Sequence, residues 1–117
     1  MPNRILREKA KLLVPYEIDR YQNTKYKTIN LERVHFQNSN ETRKTLDDTE
    51  IVLSAILFYD CRLSKPIGLN FLGLAREAQK KGHSMKIIYN DDEYTIMAAE
   101  LLKDDLSRPH HYELGLT

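Results

Sequence analysis

Residues 51–59, Ile-Val-Leu-Ser-Ala-Ile-Leu-Phe-Tyr, are apolar almost without interruption, and only Ser54 breaks the run. A strand with one wet face alternates between apolar and polar side chains, so an unbroken run belongs to a segment covered on both sides. This segment reads as the centre of a sheet, and the rest of the chain must supply the layers that cover it. With 117 residues the chain can bury one hydrophobic core but not two. It therefore reads as one domain over 1–117, with a basic helical segment at 1–24 and an α/β core at 25–117.

The other elements are read from spacing. Asn3 is placed to cap a helix over residues 4–13, with Ile5, Leu6, Ala10, Leu12 and Leu13 as its apolar stripe and Pro15 as its stop. From Lys25 to Phe36 the alternation slips near Glu32 and Arg33, which predicts a half-buried strand with a bulge. Residues 37–48 are polar apart from Leu46 and read as a flexible loop. Leu69, Leu72, Leu74, Ala75 and Ala78 have helical spacing, and Gly82 is placed to cap that helix. Met85 to Tyr89 forms a short strand before the turn residues Asn90, Asp91, Asp92 and Glu93. After the turn two readings stand: a returning strand over 94–97 with a helix over 98–105, or one helix capped by Asp91. Pro109 stops that element, leaving 110–117 as an edge strand or tail.

Charge is uneven although the formal net is +1. Arg4, Arg7, Lys9, Lys11, Arg20, Lys25 and Lys27 stand against only Glu8, Glu17 and Asp19 in residues 1–27. Interleaved with these bases are Tyr16, Tyr21 and Tyr26, a combination suited to an acidic partner or to a single-stranded nucleic acid. The candidate binding residues are Arg4, Arg7, Lys9, Lys11, Tyr16, Arg20, Tyr21 and Lys25. Cys61 is the only cysteine, so no internal disulfide forms, and no apolar stretch has the length of a membrane span. The cytoplasm is the expected location.

Catalytic and metal-binding patterns are thin. Cys61 with His35 or His83 as base lacks a local signature, and a free cysteine is commonly a small buried residue. His110, His111 and Glu113 are spaced so that adjacent imidazoles are expected to diverge, and no metal is expected. Asp47-Asp48, Asp91-Asp92 and Asp104-Asp105 read as solvated turns or helix ends, and Gly68 with Gly73 makes no phosphate loop. No cofactor is implied.

Two resemblances cover about half the chain. Leu63-Ser64-Lys65-Pro66, the helix after it and Ile88-Tyr89-Asn90 resemble the phosphocarrier HPr family, with Leu63 standing where the phosphorylated histidine would be. Phe58-Tyr59-Asp60, Gly68-Leu69, Lys81-Gly82 and Met85-Lys86-Ile87-Ile88 are similar to STAS domains, with Asp60-Cys61-Arg62-Leu63 replacing the phosphorylatable motif. Either resemblance implies binding without phosphotransfer. The sequence thus predicts a small α/β (α+β) single-sheet sandwich with helices mainly on one face. Its expected role is a non-enzymatic regulatory or protein-interaction module, alternatively an RNA-binding regulator. The expected partner is a protein, nucleic acid or a second copy in a homodimer.

Overall fold

The computed structural model describes residues 7–18, 21, 23–44, 48–103, 105–106 and 108–117. Six strands close into a fully antiparallel barrel: β1 (Glu8–Ile18), β2 (Thr24–Asn38), β5 (Ala55–Asp60), β8 (Pro109–Leu116), β7 (Asp92–Lys103) and β6 (Lys86–Tyr89), which returns to β1. A two-stranded ribbon, β3 (Thr42–Lys44) with β4 (Glu50–Val52), and one helix, α1 (Phe71–Lys80), complete the fold of the described residues. The central placement of the apolar run is correct for β5, which lies between β2 and β8.

The barrel overturns the expected α/β sandwich. Over residues 8–14 Lys9 and Lys11 point outward while Ala10 and Leu12 are buried, which is the period of a strand. Leu13, on the outer face, breaks that alternation and mimics a helical stripe. Residues 98–103 are rich in Ala, Leu, Glu and Lys, good helix formers, yet they continue β7 as a strand paired with β8. Tertiary pairing outweighs local propensity there, and neither helical reading of this segment holds. Residues 109–116 form an inner strand with partners on both sides, in place of an edge or tail. Part of the polar segment 37–48 is also strand, at the end of β2 and in β3, while residues 45–47 lie outside the described residues.

Other expectations hold. The bulge is at Arg33, whose φ is 55°, where Lys9 pairs with Glu32 and Glu8 with Val34. Ser64 steadies it by donating from Oγ to the Arg33 carbonyl. The turn between β6 and β7 places Asn90 (φ 50°) and Asp91 (φ 66°) in the left-handed region, as a tight hairpin requires. Asn70 caps α1 by accepting from the Gly73 amide at 3.1 Å, and Gly82 (φ 75°) follows its C-terminus.

Alternation across the barrel separates two apolar layers. Inside lie Leu12, Leu31, Val34, Leu57, Tyr59, Ile87, Ile96, Leu114 and Leu116, all buried. Helix α1 adds Phe71, Ala75 and Ala78 to the same cluster, with Phe71 edge-on to Tyr59 and Tyr112 at centroid distances of 4.9 and 5.1 Å. Outside, Ile56, Ala98 and Gly115 sit side by side on β5, β7 and β8, and the ribbon folds over them so that Leu53 is buried on that face. A Cβ at Gly115 would lie 2.9 Å from both δ carbons of Leu53 and 3.2 Å from the Ala98 Cβ. Glycine is therefore what lets Leu53 seat. Gly115→Ala should cost about 1–3 kcal/mol by overpacking. Urea unfolding would measure it, and adding Leu53→Ala should make the two losses less than additive. Strict additivity would contradict the notch.

Candidate interaction surface

Beyond the barrel, β1 and β2 run on as a two-stranded arm. Strand β6 pairs with β1 only at residues 11–13, and β5 pairs with β2 only at residues 34–38. Among the described residues, 14–18 and 24–27 therefore pair only with each other, and residues 28–31 pair on one side alone, with residues 10–13. A bulge at Pro15–Glu17 bends the arm. The arm rests on the end of the helix, where the Thr24 hydroxyl lies 3.3 Å from His83 and Lys81 Nζ donates to the Tyr16 carbonyl at 3.4 Å.

The predicted binding residues divide along this arm. Arg7, Lys9 and Lys11 are exposed at its barrel end, whereas Tyr16, Tyr21 and Lys25 are exposed toward its tip. Arg4 and Arg20 lie outside the described residues. The arrangement is not a continuous basic stripe: Lys9 approaches Glu32 at 3.9 Å and Lys25 approaches Glu17 at 3.7 Å. On the outer face Lys86 bridges to Glu93 at 2.6 Å and stands over the Tyr26 ring at 5.5 Å. Pairs this exposed contribute little to stability, and their charges stay accessible to a partner.

A second polar cluster, missed in the sequence, ties the ribbon to the barrel. Arg43 of β3 donates to Glu113 at 2.8 Å, reaches Glu100 at 3.3 Å and Glu41 at 3.0 Å, and its side chain is only 18% exposed. Glu100 and Glu113 are cross-strand partners on the outer face, so Arg43 neutralises what would be a repulsive pair. His111 Nε2 donates to Glu113 at 3.0 Å, and His110 Nδ1 approaches His111 Nδ1 at 2.7 Å. The imidazoles thus converge rather than diverge, because the carboxylate orients His111 and its remaining nitrogen meets His110. No group of three or more metal-ligating side chains among the described residues has the geometry to hold a metal ion.

Cys61 is partly buried, and its thiol is pushed up by burial and then by the Asp60 carboxylate, the opposite of an activated nucleophile. The bases considered for it are engaged elsewhere, His35 with Glu8 at 3.2 Å and His83 with Thr24. Among the described residues no helix is long and apolar enough to cross a membrane.

A family model described as "Minor capsid protein" matches residues 2–116. The chain belongs to the minor capsid protein family. The match displaces both the HPr-like and the STAS-like resemblance: the local order β5, α1, β6, β7 is present, but β5 and β6 are not neighbours, every strand pair is antiparallel, and residues 98–103 form no closing helix. It also replaces the regulatory and RNA-binding readings with a capsid one. No curated protein and no solved structure matches the chain.

The Arg43 cluster makes the ribbon sensitive to acid. Burial alone would raise the Glu113 carboxyl, yet hydrogen bonds from Arg43 and His111 hold it below the usual carboxylate range. A depressed folded value means that stabilisation is complete above the ordinary carboxylate value of the unfolded chain and fades as pH falls through the folded one. Melting temperature should therefore fall more steeply in the native protein than in Glu113→Gln between about pH 5 and pH 3. Parallel curves would contradict this assignment.

Proposed function

We propose that the chain is a structural, non-catalytic subunit of a virion that acts by holding a neighbouring capsid protein. The carrying observation is the family match over residues 2–116, which covers the whole barrel. Two features of the fold support the reading. The barrel interior is filled by side chains from all six barrel strands and from α1, so recognition falls to the outer surface. The β1–β2 arm extends that surface and carries exposed tyrosines, which protein interfaces favour, with accessible lysines that can steer an acidic partner from the rim.

On this reading Arg7, Lys9, Lys11, Tyr16, Tyr21 and Lys25 meet protein, and the working location is the virion rather than the cytoplasm. The partner is another capsid protein, and the lysines steer and orient the encounter. The triple change Lys9→Glu, Lys11→Glu and Lys25→Glu should leave the melting temperature within a few degrees of native. It should lower the amount of this chain in purified particles about tenfold. Quantitative mass spectrometry of particles would read that ratio. Undiminished incorporation of the folded triple variant would remove the arm from the interface.

A further inference from the structure

Strand β2 has an edge on which a second ladder begins and then stops. Across Glu32 and Lys65 the backbone forms a paired rung, Glu32 N–H to Lys65 O at 2.9 Å and Lys65 N–H to Glu32 O at 2.9 Å. That rung shows which way Glu32 faces: its N–H and C=O point away from β1. Backbone direction alternates along a strand, and the register from Lys25 to Glu32 contains no extra residue in β2. Asn30, Thr28, Tyr26 and Thr24 therefore present their N–H and C=O to the same side as Glu32. Among the described residues no strand pairs with them there. Lys25, Lys27 and Ile29 face the other way, toward β1.

The open edge is about 20 Å long, counting seven residues at strand rise, enough for a short extended segment. Its side chains indicate what such a segment carries. Lys25 and Lys27 lie two residues apart on one face of the strand, both exposed, and Lys27 is in no ion pair among the described residues. Further along the same face comes the half-buried Ile29. The fullest antiparallel pairing of this edge with a copy of itself centres on Lys27 and sets that lysine against its twin, a repulsive cross-strand pair. An acidic strand meets no such penalty.

We infer that residues 24–30 of β2 accept an added antiparallel strand from a neighbouring capsid protein, one with carboxylates on alternate positions opposite Lys25 and Lys27. The rung already made by Lys65 fixes where the added strand starts. Lysines on this edge also discourage unspecific strand pairing until the acidic segment arrives. The inference rests on the capsid reading and adds to it both the mode of contact and the chemistry of the partner.

The test uses the full chain, co-expressed with the proteins of its particle. Thr28→Pro deletes one outward N–H that the isolated fold does not use, and proline is tolerated at such edge positions. Thr28→Val keeps that N–H. Lys27→Glu leaves the backbone intact and reverses the charge. Native chain and Thr28→Val should enter particles equally, whereas Thr28→Pro and Lys27→Glu should each fall about tenfold or more, with melting temperatures near native.

Full incorporation of a folded Thr28→Pro chain would overturn the added strand. If Thr28→Pro does not fold, full incorporation of Lys27→Glu overturns the acidic partner on its own. A native chain that dimerises in sedimentation, with the dimer lost in Thr28→Pro, would name a second copy as occupant and overturn the inference as stated. Absence of the native chain from particles would instead overturn the capsid reading itself.

Discussion

Closure of the barrel depends on β6, a strand of four residues. It pairs with β1 at residues 11–13 on one side and with β7 at residues 92–95 on the other. Without it β1 and β7 would both become open edges, and the core would lose a wall. Its brevity also shapes the rest. Beyond Lys86 no strand among the described residues separates the upper parts of β1 and β7, and α1 packs against both, inserting Phe71, Ala75 and Ala78 into the core. The only helix among the described elements thus completes a barrel wall, rather than forming a layer of a sandwich.

The two ends of the barrel are finished by different means. At the end away from the helix, Glu8 accepts hydrogen bonds from the Phe36 amide at 3.1 Å and from the Tyr89 hydroxyl, and Phe36 stacks on Tyr89 at 4.1 Å. One carboxylate there joins β1, β2 and β6. On the outer wall the ribbon is held by the Leu53 notch at Gly115 and by the charges around Arg43. A buried apolar seat supplies attraction and the ion pairs supply register, a division expected when partly exposed charges add little energy but strong geometry. The consequence is an outer surface occupied by the chain's own ribbon over β5, β7 and β8, while the edge of β2 stays open.

How legible this was in the sequence depends on whether one face or two faces of a segment are covered. Elements with unambiguous signals were readable: β5 from its apolar run, the bulge from the slip at Glu32 and Arg33, the tight turn from Asn90 and Asp91, and α1 with Gly82 after it. The two false helices share a cause. Leu13 and Ala98 are apolar residues on the outer face, one above the β1 wall and one beneath Leu53, and each fills in the alternation that marks a strand. Once alternation is lost, the helix propensity of Ala, Leu, Glu and Lys dominates a local reading. With two false helices the chain resembles an α/β protein, while the family resemblances rested on the strand–helix–strand order of β5, α1 and β6, which many folds share. Gly115 between Leu114 and Leu116 was an available sign, since a lone glycine in a strand pattern marks a close approach. The open edge of β2 could not be read at all. It depends on which strands do not reach it, a property of topology.

The account turns on a closed barrel that leaves one side of β2 unpaired, and amide hydrogen exchange of the isolated chain, read residue by residue, tests both parts at once. Protection should alternate along the arm, with Lys25, Lys27 and Ile29 slow and Thr24, Tyr26, Thr28 and Asn30 fast, while Ile87 and Ile88 of β6 remain protected in the barrel wall. Uniform protection along residues 24–30, or rapid exchange throughout β6, would contradict it.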